Sequence, residues 1–265
     1  MSLAVGVAAL AFAVLTLTGL AQVTHRTDGA LRQVLTPADA PAPPAPPAPP
    51  APPAPKVVTG EAHGPAPAGR PGARRPQPDP GWVDRVAGTT GIPARALLAY
   101  AQTSLLLGQE QPACRLSWPT LAGIGWVESG HGTLRGNRLL ANGRPVVPIL
   151  GPALDGRPGF AAIPATPQST ATHGDPDWDH AIGPMQFIPS TWKRWASDGD
   201  QNRRSDPQDI DDAAFAAGRY LCASGADLTT GKGWQRAILS YNHSDQYAAE
   251  GLDAANWYAR ASRQR

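Results

Sequence analysis

The chain predicts a mainly α-helical domain over residues 81–265, interrupted by a loop and short β-hairpin insertion. Apolar side chains recur at helical spacing, prolines and glycines sit where helices begin and stop, and residues 133–180 break the pattern with a Gly/Pro-rich run. The first helix is expected over 92–108, with Pro93 in its opening turn and Leu97, Ala101 and Leu105 on one face. The second covers 117–129, with Ser117 at the cap position, Pro119 just inside and Gly130 and Gly132 as the stop. Residues 211–223 hold Ala213, Ala214, Ala216, Ala217 and Gly218, small enough for a neighbouring helix to approach closely. Helices over 234–241 and 246–262 complete the set, and Pro189 leads a turn into a short helix. In the insertion, Asn142-Gly143 between Leu139-Leu140 and Val146-Val147 is a hairpin turn signal.

Two segments precede this domain. Residues 1–24 carry no charged side chain, and their apolar run approaches the roughly 20 residues that a membrane-crossing helix needs. The same run fits a secretory h-region with a small-x-small site at Gly19-Leu20-Ala21. Signal peptide and transmembrane anchor both stay open, and either takes the chain to a membrane and the domain outside the cytoplasm, anchored or secreted. Residues 25–80 are expected to be a disordered Pro/Ala-rich linker, with 17 of the 30 prolines between 36 and 80. The repeat Pro41-Ala-Pro-Pro-Ala-Pro-Pro-Ala-Pro-Pro-Ala-Pro-Pro-Ala-Pro55 favours polyproline II, a spacer on the order of 45 Å long.

Composition excludes some functions. Residues 81–265 hold 17 Lys/Arg and 17 Asp/Glu, so the net charge of +2 belongs to the N-terminal tail. With no basic run, nucleic acid is not an expected partner. Eight Trp and five Tyr against four Phe suit stacking on sugar faces, and serve core packing equally well. Cys114 and Cys222 read as one disulfide in an exported chain; the alternative, a catalytic Cys with His173 or His243, lacks a nucleophile-like local sequence. His131, His173, His180 and His243 show no metal spacing, and there is no His-Glu-x-x-His, which argues against a zinc amidase.

Three segments carry candidate chemistry. In Leu121-Ala-Gly-Ile-Gly-Trp-Val-Glu-Ser-Gly-His-Gly132, Leu121, Ile124 and Glu128 share one helix face. A carboxyl there is desolvated and sits at the negative end of the helix dipole, so its pKa rises and it can keep a proton to donate. The alternative is a surface acid. In Ala181-Ile-Gly-Pro-Met-Gln-Phe-Ile-Pro-Ser-Thr-Trp192, Gln186 offers an amide to a hydroxyl or N-acetyl group, or is a satisfied buried amide. In the third, Tyr241 and Asn242 end a helix, with Tyr247 beyond; they reach a cleft, or serve as core and C-cap. A weaker signal is calcium: Asp198, Asp200, Asn202, Asp206 and Asp209 stand at positions 1, 3, 5, 9 and 12 of an EF-hand-like loop. Arg203 replaces the required glycine, Asp replaces Glu at position 12, and the alternative is a solvated loop with Asp209 or Asp211 capping the next helix.

Glu-Ser ending an apolar helix, then Gly-x-Met-Gln-Phe, then Tyr-Asn, resembles the lysozyme-like lytic transglycosylases of peptidoglycan. The longer strings Gly183-Pro-Met-Gln-Phe-Ile-Pro-Ser-Thr-Trp192, Asp212-Ala-Ala to Tyr220-Leu-Cys222 and Tyr241-Asn-x-Ser-x-x-Tyr247 are similar to the membrane-bound lytic murein transglycosylase B family, in its actinobacterial form. The resemblance covers roughly residues 92–259. It implies a lysozyme-like fold, with the insertion shaping one wall of a groove. Glu128 would be the sole acid/base, supported by Ser129, with Gln186, Tyr241, Asn242 and Tyr247 lining the saccharide cleft. It implies peptidoglycan glycan strands as partner, cut between MurNAc and GlcNAc to leave a 1,6-anhydro end, with no cofactor required. Were Asp175, Asp177 or Asp179 to reach the opposite sugar face, the outcome would be lysozyme-type hydrolysis. A wall-binding protein without turnover is the remaining alternative.

Overall fold

The computed structural model describes residues 76–157 and 160–263. The expectations for residues 1–24, and those for residues 25–75 of the linker, lie outside the described residues.

The domain opens with a helix that periodicity did not announce. In α1 (Pro80–Thr90) Asp79 accepts the Trp82 N–H at 2.7 Å, Pro80 starts the helix and Gly91 ends it in the left-handed region. It buries Trp82, Val83 and Val86, and the Trp82 ring meets Trp118 edge-on at 5.7 Å. The expected helices follow as α2 (Ala94–Glu110) and α3 (Trp118–Ser129). Ser117 stands at the N-cap of α3, but its hydroxyl pairs with the Thr120 hydroxyl and not with a backbone N–H.

Among its twelve residues α3 leaves only Trp126 exposed and Glu128 and no other residue half-buried. A helix apolar on nearly all sides belongs inside, surrounded by others. It crosses α8 (Asp245–Ala261) at Gly123, where a Cβ would lie 2.5 Å from the Gly251 carbonyl oxygen. Between them, α4 (Pro167–His173), α5 (Pro189–Trp195), α6 (Ile210–Gly225) and α7 (Gly231–Tyr241) run in chain order. The small residues of α6 are buried and let it pack on α2 and α7. Gly218 admits Leu107, Thr103 and Leu116 where a side chain would stand. Cys114, after α2, is bonded to Cys222 of α6, with their Cα atoms 5.2 Å apart.

The domain is mainly helical with a small sheet. Strands β1 (Leu150–Ala153), within the insertion, and β2 (His180–Ile182), at its end, pair antiparallel and enclose residues 154–179. The expected turn exists: Gly143 has φ +84°, the Leu140 N–H reaches the Arg144 carbonyl at 2.8 Å, and Leu139 bridges Pro145. Its flanks carry that bridge alone, and the ladder forms further along the chain. Helix α4 was not expected there; Thr166 and Ser169 cap it reciprocally. Among the described residues no helix is long and apolar enough to cross a membrane.

Candidate active site

Glu128 sits on the last turn of α3, half-buried, with Leu121 and Ile124 fully buried on the same face. The Tyr247 hydroxyl, from α8, donates to its Oε1 at 2.6 Å. Burial pushes the carboxyl up to about 7, and the Tyr247 bond pulls the other way, because it favours the ionised form. Neighbouring acids are not among the causes of this shift.

The turn 183–187 is fastened to the acid's helix and to α7. Ser129 is fully buried and donates to the Pro184 carbonyl at 2.6 Å while accepting the Gly132 N–H at 2.8 Å. The Tyr241 hydroxyl, at the end of α7, donates to the Met185 carbonyl at 2.7 Å. Met185 and Phe187 are buried, leaving Gln186 half-buried between them in a left-handed conformation (φ +49°). Its Nε2 donates to the Gly183 carbonyl at 2.9 Å. Asn242 follows Tyr241, half-buried. Burial holds the Tyr241 and Tyr247 phenols well above their ordinary range, so both are neutral donors.

Tyr247, expected to line the saccharide cleft, and Ser129, expected to support the acid, both face inward. Ser129 and Tyr247 are buried, and their hydroxyls are committed to Pro184 and Glu128. Tyr247 thereby meets the acid directly, and Ser129 ties the end of α3 to the turn 183–187. Replacing Tyr247 with Phe is expected to raise the Glu128 midpoint by about one to two pH units, the worth of one hydrogen bond to the charged form. Carboxyl ¹³C NMR titration reads this directly, and an unmoved midpoint would mean the bond is not made in solution.

His131, just past α3, is a buried polar junction that the sequence reading did not single out. Its Nδ1 lies 3.3 Å from the Tyr100 hydroxyl and its Nε2 2.8 Å from that of Tyr258, linking the end of α3 to α2 and α8. Burial pushes the ring down to about 3, so it is neutral. In Gly130-His131-Gly132 the glycines read as a helix stop, which hid the histidine's role.

Of the acids considered for an opposite-face role, Asp175 accepts from His180 Nε2 at 3.0 Å and buried Asp179 contacts His173 Nε2 at 3.2 Å. Asp177 is exposed.

The loop before α6 has an EF-hand-like course but gathers a different set of carboxylates. Arg203 takes the left-handed conformation expected of glycine (φ +68°), and Asp198, Asp200 and Asp212 bring carboxylate oxygens within 4.8 Å of one another. Asp198 Oδ1 is buried without a hydrogen-bond partner, which fits a hard, oxygen-seeking cation. Asp206 is instead paired with Arg144, and Asp209 caps α6 by accepting the Asp211 N–H at 2.9 Å. Asn202 donates its amide to Asp200 at 2.9 Å. Asp212, outside the expected set, closes the loop by accepting the Gly199 and Asp206 N–H groups at 2.6 and 2.8 Å. Asp200 and Asp209 also cluster with Asp211, whose charge is met by Arg95. Burial, then neighbouring carboxylates, pushes Asp212 up to about 7.

Residues 168–238 match the family model described as the transglycosylase SLT domain. The match runs from α4 through most of α7 and includes Gln186 and Asp212; it begins downstream of Glu128. No curated protein matches the chain. Among solved structures, the chain is similar to the Escherichia coli lytic transglycosylase SLT35. In complex with bulgecin A the identity is 15%, over 71% of this chain and 81% of that one, with a TM-score of 0.43. In complex with calcium it is 15%, over 69% and 80%, at 0.42. It is also similar to SltB3 from Pseudomonas aeruginosa in complex with NAG-anhNAM-pentapeptide, at 18% identity, over 71% and 72%, with a TM-score of 0.40. At such scores the fold assignment rests on the helices themselves.

Proposed function

We propose that the chain is a peptidoglycan lytic transglycosylase that cuts between MurNAc and GlcNAc using one carboxyl. The observation that carries the reading is Glu128, a half-buried acid raised to about 7 and bonded by the neutral donor Tyr247. The SLT domain match supports the same class. Protonated Glu128 gives its proton to the glycosidic oxygen as the C1–O bond breaks, leaving an oxocarbenium-like sugar. The resulting carboxylate takes the proton of the MurNAc C6 hydroxyl, and O6 closes on C1. Glu128 is thereby protonated again, no water is consumed, and the new end is a 1,6-anhydro sugar. The nucleophile is tethered to the reacting carbon, so its effective concentration is high and a second carboxylate is not needed.

Gln186, Asn242 and the Tyr241 end of α7 form the saccharide-binding side, and Tyr247 and Ser129 hold the acid. The strings at 183–192 and 241–247 support the membrane-bound lytic murein transglycosylase B family, in its actinobacterial form, as the finer reading. Residues 1–24 would serve as signal or anchor and 25–75 as spacer, the domain starting by residue 76 and not at 81, which puts it outside the cytoplasm against the wall. Digestion of purified sacculi by the full chain, followed by mass spectrometry, tests the reading. Anhydro-ended muropeptides are expected; reducing MurNAc ends would identify a hydrolase, and intact sacculi a non-catalytic wall binder.

Calcium is proposed as a structural ion on Asp198, Asp200 and Asp212, tying the loop to the start of α6. Saturating calcium is expected to stabilise the folded chain by about 2–3 kcal/mol at a hundredfold excess over Kd. Differential scanning calorimetry reads this as a rise in Tm that Asp212→Asn removes. An unchanged Tm in millimolar calcium would reject the site.

A further inference from the structure

The insertion holds an acid–histidine pair that the proposed chemistry does not use. Beyond α4 the chain turns at Gly174 into Asp175-Pro-Asp-Trp-Asp-His180. Asp175 Oδ1 accepts the N–H groups of Asp177 and Trp178 at 2.8 and 3.1 Å, which fixes the carboxylate. Its Oδ2 then lies 3.0 Å from His180 Nε2. The His180 bond, followed by those two N–H groups, holds the Asp175 carboxyl down at about 2. The other His180 nitrogen, Nδ1, lies 2.7 Å from the Gly151 carbonyl oxygen.

His180 thus stands between a carboxylate and a carbonyl, with one ring nitrogen on each. The adjacent His173 ring, 5.0 Å away between centroids, follows another pattern. Its Nδ1 accepts the Asp175 N–H at 3.2 Å, which leaves Nε2 to donate to Asp179. Neither nitrogen of His180 is free to act as a base toward a ligand.

What His180 holds is a bulge. Leu150 pairs with Ile182 and Ala153 with His180, so three steps along β1 face two along β2. The extra residue falls at Gly151 and Pro152, and proline has no N–H to give the ladder. Gly151 also forms the wall behind Gln186: a Cβ there would stand 2.7 Å from Gln186 Oε1 and 3.3 Å from the Ala181 Cβ. The Gln186 amide is thus set from both ends, its Nε2 by the Gly183 carbonyl and its Oε1 by close packing on Gly151. Ile149 of the same run accepts the Gly183 N–H at 2.9 Å, so a shift of β1 moves the whole turn.

We propose that Asp175 and His180 are positioning residues for Gln186: by gripping the bulged Gly151 carbonyl they seat β1 against the amide and set how tightly the cleft holds saccharide. The inference rests on the glycan-cleaving function proposed above. Steady-state kinetics of the full chain on soluble uncross-linked glycan strands test it. His180→Phe removes both bonds and is expected to raise KM about fivefold to tenfold, the worth of about one ordinary hydrogen bond, with kcat within about twofold of the parent.

An unchanged KM in His180→Phe overturns the inference, as does a parallel fall of kcat and Tm with KM unmoved. Should that variant not fold, His180→Gln, which reaches one partner at a time, is expected to raise KM about twofold to threefold. A parental KM in that variant counts equally against the inference. A parent chain that leaves the strands intact defeats the glycan reading itself; a parent that cuts them with a KM indifferent to His180 defeats this inference alone.

Discussion

Glu128→Gln is expected to lower glycan cleavage by about a thousandfold or more, because one carboxyl both gives and takes the proton. Glutamine keeps the shape and still accepts from Tyr247, so the variant folds. The pH dependence carries a definite sign. The acid must be protonated to donate, and burial raises it from 4.5 to about 7, so activity limited by this group falls as pH rises through about 7. The same shift penalises the folded state: the penalty is absent below about 4.5, grows as pH rises, and is complete above about 7. Above pH 7 the glutamine variant is therefore expected to be more stable than the parent by roughly 1–3 kcal/mol, a gain that vanishes in acid. Denaturant titrations at pH 4 and pH 8 would measure it. Equal stability of parent and variant at both pH values would mean the carboxyl is well solvated and unfit for the role.

Gly183→Ala is expected to be the most disruptive single methyl in the turn. Gly183 has φ +79°, and an added Cβ would stand 1.7 Å from the Pro207 carbonyl oxygen and 2.6 Å from its carbon. Those atoms are backbone and cannot swing aside. Pro207 is followed by Gln208, whose side chain accepts the Ile149 N–H and donates to the Ile149 carbonyl, both at 2.9 Å. A shift there displaces β1 and the turn that Ser129 and Tyr241 fasten. Cost and strain together are expected to exceed about 3 kcal/mol. Gly136→Ala is the matching control: its φ is +78° but nothing lies within 4 Å of the new methyl. It is expected to cost only about 1 kcal/mol, the conformational part alone. Similar urea midpoints for the two variants would refute the close approach of Gly183 to Pro207.

The legible parts of the fold had local signals strong enough to survive tertiary packing. Helix α3 showed its apolar face and its Gly130 stop, and α6 its run of small residues. Helix α1 was hidden because its Asp79-Pro80 start lies where proline-rich composition argues against any helix. Helix α4 is short, and its Thr166 and Ser169 cap stands in a run that reads as loop. The candidate site was legible as three segments but not as an arrangement. Nothing local says that Tyr247 bonds an acid 119 residues earlier, or that Ser129 turns inward to Pro184. The acidic loop shows the same limit. An EF-hand count selects Asp209, whereas the start of α6 spends Asp209 on a cap and presents Asp212 to the loop.

Cleavage of glycan strands in H₂¹⁸O measures the central claim most directly. If the sugar's own C6 hydroxyl completes the reaction that Glu128 begins, the new MurNAc ends carry no heavy oxygen at C1 and weigh one water less than reducing ends. Incorporation of ¹⁸O at C1 in most new ends would show that water is the nucleophile and contradict the account.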